Sequence, residues 1–408
     1  MSGARYIVGD VRDVLATIPD GSVDLVLTSP PFLALRSYLP ADHPDKHREI
    51  GSEPDPATFL DTLLLLTAEW GRVLAPHGSI CVELGDTYAG GSAEGSDTRN
   101  VESARFRGLA DGVLSPKAGT AWPLPKSLCG IPHLYHLSLA YGRNLLTGEE
   151  SPAGRWRVRN VVAWCRPNPP VGALGDKFRP ATSYMTIATR ETKRYFDLDA
   201  VRTEFTGVNA EKQKDGWQVT ENAKDARTSG HMGTSSADVG IRAYGHPAGA
   251  PPLDYWVIPT APYSGSHYAV YPPALCERPI KSMVPAKVCT VCGAPSERIV
   301  ELEPGAGGLH HANSGGSQTV GGHPNGHRSQ MGERRATTIG WTDCGHDSWR
   351  NGVVLDPFAG SGTTLMVATG HGRDAIGCDI DARNADLALD RVGPLLLTVE
   401  HLADEVAS

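Results

Sequence analysis

A glycine-rich turn near residue 360 combines residue types that bind nucleosides. The chain reads DPFAGSGTT from residue 356, directly after the apolar run 353–355. Glycines between a strand and a helix let a ligand approach the backbone closely. Asp379, at the end of the next predicted strand, can accept hydrogen bonds from ribose hydroxyls. Because Asp356 begins the turn and a third glycine is lacking, the turn predicts a ligand with an amine rather than a pyrophosphate.

A second motif, TSPPF at residues 28–32, begins at the last residue of the predicted buried strand 23–28. Its two prolines hold an extended loop and remove two N–H donors. The Ser29 hydroxyl and nearby carbonyls can accept hydrogen bonds from an amine, and Phe32 offers a flat apolar surface. This combination suits chemistry on a base that has left its helix. Taken alone, the same four residues also fit an ordinary turn.

Three cysteines and one histidine have the spacing of a metal site. Cys289 and Cys292 form a C-x-x-C pair followed by glycine, and Cys344-Gly-His346 comes later in the chain. Two such pairs are typical of a zinc ribbon. Free cysteines are the alternative, and a redox pair is the least favoured because no helix is predicted to start there. The other five cysteines are expected to be small buried side chains.

Strands and helices alternate at both ends of the chain, which predicts a parallel α/β sheet. A turn is predicted at His77-Gly78. The fold class is therefore α/β, a Rossmann-like sheet with helices on both faces. The predicted strands are 7–10, 23–28, 79–84, 161–164, 184–189, 353–355 and 375–378, and the helices are 11–18, 59–74, 132–141, 363–369 and 383–391.

Composition limits the function classes. The net charge of −8 lowers the expectation of a nucleic-acid binder, although local basic segments at 155–159 and 334–335 could supply a positive face. No run of 18 apolar residues exists, and the N-terminus has no secretory pattern. A cytoplasmic protein without membrane segments is expected. The segments 89–121, 205–250 and 303–338 are polar and rich in glycine, and none can build a core alone.

In the order of its motifs, the chain resembles the β-group of bacterial DNA amino-methyltransferases, in which the catalytic motif precedes the cofactor motif. The TSPPF loop indeed precedes the DPFAGSGTT turn. Further blocks of the family fit in sequence order. These blocks are GD at 9–10, GDTY at 85–88, KSL at 126–128, W at 164, YFD at 195–197 and HYAVYP at 267–272.

The resemblance implies S-adenosyl-L-methionine as the cofactor and direct methyl transfer from its sulfonium to an exocyclic amine, without a covalent enzyme intermediate. The implied catalytic residues are Ser29, Pro30, Pro31 and Phe32. The implied cofactor-binding residues are Asp10, Thr28, His267, Asp356, Pro357, Phe358, Ala359, Gly360, Ser361, Gly362, Thr363 and Asp379. The predicted zinc ligands are Cys289, Cys292, Cys344 and His346.

Ser29 and Phe32 at their places in the motif resemble the cytosine-N4 subgroup, since adenine-N6 members more often carry Asp and Tyr there. The expected substrate is double-stranded DNA with a flipped target base, and a cognate restriction endonuclease is a possible partner. One departure is Cys165-Arg166, where the family carries Lys before Pro. The alternatives are an adenine-N6 enzyme, an RNA or protein methyltransferase on the same fold, and a non-catalytic DNA-binding protein. The oligomeric state stays open.

The resemblance also predicts how the chain is divided. Residues 1–200 and 349–408 would form the catalytic and cofactor-binding halves of one methyltransferase domain. A target-recognition region at 201–260, a cofactor-closing segment at 261–284 and a zinc knuckle with a flexible loop at 285–348 would interrupt it.

Overall fold

The computed structural model describes residues 2–90, 119–169, 176–204, 248–260, 270–303 and 335–402. Contacts divide the chain into two compact units. The larger unit comprises Met1–Asp197, Leu253–Ser296 and Cys344–Ser408, and the smaller comprises Leu198–Pro252 and Glu297–Asp343.

A nine-stranded sheet forms the centre of the larger unit. Its strands are β1 (Ala4–Val8), β2 (Val23–Thr28), β3 (Leu74–Leu84), β4 (Arg157–Cys165), β5 (Thr182–Thr189), β6 (Tyr255–Val257), β11 (Val353–Asp356), β12 (Asp374–Asp379) and β13 (Leu397–His401). The strand order is β13-β1-β12-β11-β2-β3-β5-β4-β6. All neighbours are parallel except β5, which runs antiparallel to both β3 and β4. The carboxyl ends of β1, β2, β3, β11 and β12 therefore meet at one edge.

In the described residues six helices cover the sheet, three on each face, which confirms the predicted α/β layering. They are α1 (Val11–Thr17), α2 (Pro56–Val73), α3 (Ile131–Tyr141), α4 (Pro273–Met283), α5 (Thr363–Gly370) and α6 (Arg383–Val392). Successive strand residues point to opposite faces: Val26 and Leu355 pack with α1–α3, whereas Leu25 and Val354 pack with α4–α6. Within the described ranges, no helix is long and apolar enough to span a membrane.

Two short antiparallel pairs lie outside the sheet. In the larger unit, β7 (Lys287–Cys289) pairs with β10 (Trp349–Asn351). In the smaller unit, β8 (Arg298–Glu303) pairs with β9 (Arg335–Trp341), and the Arg298 guanidinium lies over the Trp341 ring. Most of the polar segments 89–121, 205–250 and 303–338 lie outside the described residues.

The predicted turn at His77-Gly78 is wrong, because both residues lie within β3. The pairing with β2 jumps from Val23↔Leu74 to Leu25↔Ser79, so the intervening residues form an irregularity inside one strand. Sequence patterns also missed α4, β6 and β13. Helix α4 contains an internal proline, which argues against a helix in the sequence, and β6 is only three residues long.

Candidate functional site

The residues of both sequence motifs meet at the carboxyl edge of the sheet. Thr28, Asp356 and Asp379 are the last residues of β2, β11 and β12, which are neighbours in the sheet. An open cavity lies at this edge, with an empty volume of about 690 Å³ that includes adjoining solvent space. Its lining residues are Asp10, Val11, Ser29, Pro31, Tyr38, Arg48, Glu49, Ile50, Pro357, Phe358, Gly360, Cys378, Asp379 and Ile380.

Asp356 organises the glycine-rich turn from below. Its carboxylate accepts hydrogen bonds from Thr28 Oγ1 (2.7 Å), Thr364 Oγ1 (2.6 Å), Tyr271 Oη (2.8 Å) and the Phe358 backbone N–H (3.1 Å). The side chain is fully buried and is not part of the cavity lining. Burial raises the pKa of Asp356, and the hydrogen bonds from the neighbouring hydroxyls oppose that rise. Its carboxylate therefore serves to hold the turn in shape.

The turn exposes its backbone to the cavity at Gly360. The Gly360 N–H donates to Asp379 Oδ2 (2.9 Å), and its carbonyl accepts from the buried Tyr6 hydroxyl (2.7 Å). Gly362 begins α5 with φ 75°, and a Cβ there would lie 3.0 Å from Ala388 Cβ. Only glycine adopts this conformation without strain, so Gly362 lets the turn pack closely on α6.

Four predicted cofactor residues of the turn do not line the cavity. Ser361 and Thr363 are buried, and both accept hydrogen bonds from Arg391. None of Ala359, Ser361, Gly362 and Thr363 lines the cavity. The predicted cofactor residue His267 lies outside the described residues.

Asp379 faces the cavity and is held rigidly. It accepts hydrogen bonds from the Asp381 N–H (2.8 Å) and from Asn384 Nδ2 (3.1 Å), besides the bond from Gly360. Burial raises the pKa of Asp379 to about 6. The carboxylate is oriented by amide donors and has room for further hydroxyl donors from a ligand.

Asp10 caps α1 and carries two cations. Its carboxylate accepts from the Arg12 backbone N–H (2.9 Å) and the Arg12 guanidinium, and Arg48 Nε lies 3.1 Å from Asp10 Oδ2. Arg48 comes from the loop after the TSPPF motif, which also brings Tyr38 and Glu49 to the cavity. This loop shows no periodicity in the sequence, so its part in the site was not predicted.

Ser29 is paired with a buried acid that the sequence analysis also missed. Ser29 Oγ donates to Glu83 Oε2 at 2.5 Å. Glu83 is 4% exposed, and burial raises its pKa. Its second oxygen, Oε1, has no hydrogen-bond partner among the described residues, nor has Nε of nearby Arg166. Both atoms are buried beside the TSPPF loop.

The TSPPF loop packs on the end of β3. A Cβ on Gly85 would lie only 2.5 Å from Phe32 Cε2, so the Phe32 ring rests on bare backbone at that point. Pro31 lines the cavity, whereas Pro30 is buried beneath it. The four predicted catalytic residues therefore lie together, and Ser29 and Pro31 reach the cavity.

The four predicted zinc ligands also come together, at a separate place in the larger unit. One ligand atom from each of Cys289, Cys292, Cys344 and His346 lies within 4.8 Å of all the others. All three cysteines are free thiols. The cluster can hold a tetrahedral metal ion, and the spacing of the cysteine pairs was sufficient to find it.

Polar residues inside apolar strands could have indicated further residues of the site from the sequence, but they were not used. Glu83 is the only charged residue of the apolar stretch that ends β3, and Tyr6 is a single aromatic in β1. Tyr271 and Thr364 stood inside recognised motifs without an assigned role. A polar group buried in a strand needs a partner, and at these positions the partners belong to the site.

A glycine turn that leads from a strand into a helix, an acid at the end of the next strand and a Ser-Pro-Pro loop meet at one sheet edge, as in S-adenosylmethionine-dependent amino-methyltransferases. The family model for DNA methylases of the N6/N4 type matches residues 23–287 and 345–390. The chain therefore belongs to the N6/N4 DNA methylase family.

Among its relatives, the type II methyltransferase M.Cfr9I of Citrobacter freundii is 28% identical over 222 residues, which is 54% of this chain and 65% of the relative. M.SmaI of Serratia marcescens is 22% identical over 96% of this chain and 91% of its own length. Among solved structures, the cytosine-N4-specific PvuII DNA methyltransferase aligns with a TM-score of 0.47 and 13% identity, covering 96% of this chain and 86% of that one.

Proposed function

We propose that this protein transfers a methyl group from S-adenosyl-L-methionine to the N4 amine of cytosine in double-stranded DNA. The observation that carries the proposal is the pair formed by Ser29 and Glu83 at a cavity that Gly360 and Asp379 also line. The same cavity thus offers an acceptor for an amine and a site for a nucleoside.

The cofactor would occupy the wall formed by the glycine-rich turn. When bound, S-adenosyl-L-methionine supplies an electrophilic methyl group on a sulfonium. Asp379 would accept hydrogen bonds from ribose hydroxyls, and Asp10 would face the adenine. Pro357, Phe358 and Gly360 would line the remainder of its pocket. Among the described residues Asp379 accepts only from neutral amide donors, so its carboxylate also favours a ligand that carries positive charge.

Ser29 would activate the target amine. The lone pair of a base amine is delocalised into the ring, so an acceptor at its N–H groups restores nucleophilicity. Because Ser29 Oγ donates its own hydrogen to Glu83, its lone pairs are available to the amine. As the N–C bond forms, the C–S bond breaks and its electron pair stays on sulfur.

The methylated amine then carries a positive charge and must lose a proton. Ser29 can accept that proton while passing its own to Glu83. Burial raises the pKa of Glu83, which makes this carboxylate a better proton acceptor than an exposed one. The two residues would therefore act as a unit.

Two features favour cytosine over adenine as the target. Ser29 and Phe32 have the residue types of the cytosine-N4 subgroup. In addition, Arg166 leaves Nε without a partner in the described part of the chain. A guanidinium suits a base edge with two adjacent acceptors, as the N3 and O2 of cytosine provide, whereas the Watson–Crick edge of adenine offers only N1. The adenine-N6 reaction remains the alternative.

The proposed biological setting is site-specific DNA modification. Both relatives above are named type II methyltransferases, which supports a restriction-modification role with a cognate endonuclease. A flipped target base is required because the amine must reach Ser29. Residues 201–260 are proposed as the target-recognition region.

The test is direct identification of the product. The protein is incubated with S-adenosyl-L-methionine and plasmid DNA, and the digested nucleosides are analysed by mass spectrometry. N4-methylcytosine is expected, and it should be absent with Ser29→Ala. N6-methyladenine without N4-methylcytosine would overturn the choice of base. Methylation of RNA but not of DNA would overturn the substrate.

A further inference from the structure

The Cys/His cluster has the interatomic distances of an occupied zinc site. His346 Nδ1 lies 3.6 Å from Cys289 Sγ and 3.4 Å from Cys344 Sγ. A tetrahedral zinc with Zn–S bonds of about 2.3 Å and Zn–N bonds of about 2.1 Å separates sulfur from nitrogen by about 3.6 Å. The side chains are thus already spaced for the ion.

Backbone N–H groups also point at the sulfur of Cys289. The Val291 and Cys292 N–H groups donate to Cys289 Sγ at 3.4 and 3.5 Å, and the Gly293 N–H closes the turn on the Cys289 carbonyl at 3.0 Å. Such bonds stabilise a thiolate, which is the form that binds metal. Because no helix begins after Cys292, the redox alternative lacks the helix dipole that it would need.

The cluster is linked to the sheet through a buried ion pair. Strand β10, which starts just after His346, pairs with β7 and places Arg350 opposite Val288. Arg350 donates to both oxygens of Asp24, at 2.6 and 3.0 Å. Asp24 lies at the amino-terminal end of β2 and is fully buried, and it also accepts from the Val353 N–H (2.7 Å) at the start of β11.

Strands β2 and β11 are the two neighbours whose opposite ends carry Thr28 and Asp356. The cluster is therefore connected, through Arg350 and Asp24, to the amino-terminal ends of the central strands. The catalytic residues lie at the carboxyl ends of the same strands.

The family comparison places the cluster at an interruption. The DNA methylase model matches the chain up to residue 287 and again from residue 345. The intervening segment starts immediately before Cys289 and ends at Cys344. Joining the two ends of a long inserted segment removes much of its freedom in the unfolded chain, so a metal bridge at this position is effective.

We propose that Cys289, Cys292, Cys344 and His346 bind a structural zinc ion that clamps the two ends of the inserted segment, and that the clamp holds Arg350 on Asp24 at the base of β2 and β11. The ion has no part in methyl transfer. The ion holds together the two points at which the inserted segment leaves and re-enters the methyltransferase domain.

Metal content tests the site itself. Purified full-length protein should contain about one zinc per chain by mass spectrometry of the elements, consistent with a closed four-ligand site. Cys292→Ser and Cys344→Ser should each lose most of it, while Cys165→Ser, a half-buried cysteine outside the cluster, should retain it. Less than about half an equivalent in the unaltered protein would overturn the site.

A cobalt spectrum covers the case in which a cysteine variant fails to fold. Replacement of the ion by Co²⁺ in the unaltered chain should give the intense visible bands and the thiolate charge-transfer band of a tetrahedral site. A weak octahedral spectrum would overturn the ligand set. This readout needs neither DNA nor methyl transfer, so its result is independent of the proposed function.

Hydrogen exchange tests the clamp. On removal of zinc with a chelator, amide exchange should accelerate at least about tenfold in 287–289 and 349–353, with little change in β12. Arg350→Gln should accelerate exchange at 349–353 while retaining zinc. Unchanged exchange in 349–353 after loss of zinc would overturn the clamp even if zinc binds.

Discussion

The buried acids at the two edges of the central sheet have different partners and opposite pKa shifts. At the carboxyl edge, Asp356 is held by hydroxyl and amide donors, and burial raises its pKa and that of Asp379. At the amino-terminal edge, burial also acts to raise the pKa of Asp24, but hydrogen bonds from His77 and Arg350 outweigh it and the net pKa is lowered. Among the described residues, Asp356 and Asp379 have no cationic partner, although Asp10 at the same edge is paired with Arg12 and Arg48. At the other edge, Arg350 neutralises Asp24.

This difference separates a binding edge from a structural edge. An acid oriented by neutral donors keeps a potential that attracts a cationic ligand or a proton. The charge of an acid paired with arginine is neutralised by that partner, and the ion pair stabilises the fold instead of attracting a ligand. Changes at the carboxyl edge should therefore alter activity and ligand affinity, whereas changes around Asp24 should alter stability alone.

The largest effect is expected at the Ser29–Glu83 pair. Glu83→Gln removes the proton acceptor but keeps the shape of the side chain, so kcat should fall by about 100- to 1000-fold. The affinity for S-adenosyl-L-methionine, measured by calorimetry, should change by less than about twofold, because Glu83 does not line the cofactor wall. A large loss of cofactor affinity with kcat preserved would contradict the assigned role.

Breaking the ion pair at the other edge should be the largest effect on stability. Arg350→Gln leaves the buried Asp24 without its main cation and should lower the free energy of unfolding by about 3 kcal/mol. Denaturant titration measures the loss. Arg5→Gln, which breaks the more exposed pair with Glu400, is the matched control and should cost less than about 1 kcal/mol. Similar losses in both variants would remove the distinction between the edges.

The pH dependence of cofactor binding should follow Asp379. Its pKa of about 6 means that the carboxylate is charged above pH 6 and becomes protonated below it. Only the charged form accepts two hydroxyl donors, so the dissociation constant should be flat above pH 7 and rise up to about tenfold per pH unit well below the pKa. Calorimetry between pH 5 and pH 8 measures it.

Asp379→Asn serves as the control for that titration. Its affinity should be weaker throughout and nearly independent of pH in the same range. If the variant keeps the pH dependence of the unaltered protein, another group is responsible.

The smallest effect is expected for Tyr271→Phe. The change removes one of four donors to Asp356 and leaves Thr28, Thr364 and the Phe358 N–H in place. Thermal unfolding should show a loss of about 1 kcal/mol. Because Asp356 does not line the cavity, cofactor affinity should fall only slightly. A loss of activity as large as that of Glu83→Gln would assign Tyr271 a direct role in the reaction.

Sequence patterns found the elements that show regular periodicity. Predicted strand 23–28 coincides with β2, and helix 363–369 differs from α5 by one residue. The failures were at irregular places: the bulge at His77-Gly78, the proline-containing α4 and the short β6. There the structure depends on packing against distant segments, which no local pattern contains.

The amino-acid sequence by itself determined the chemistry-bearing groups. The TSPPF loop, the DPFAGSGTT turn and the C-x-x-C pair are local motifs, and their residue types, spacing and order along the chain indicate the family and the ligands that we expect. Only the tertiary structure decided which groups face the cavity. In the structure Asp356 lies outside the cavity lining, Ser29 is hydrogen-bonded to Glu83, and Arg350 is paired with Asp24. These pairings join residues far apart in the chain, and the partners of each buried carboxylate decide whether its charge is neutralised.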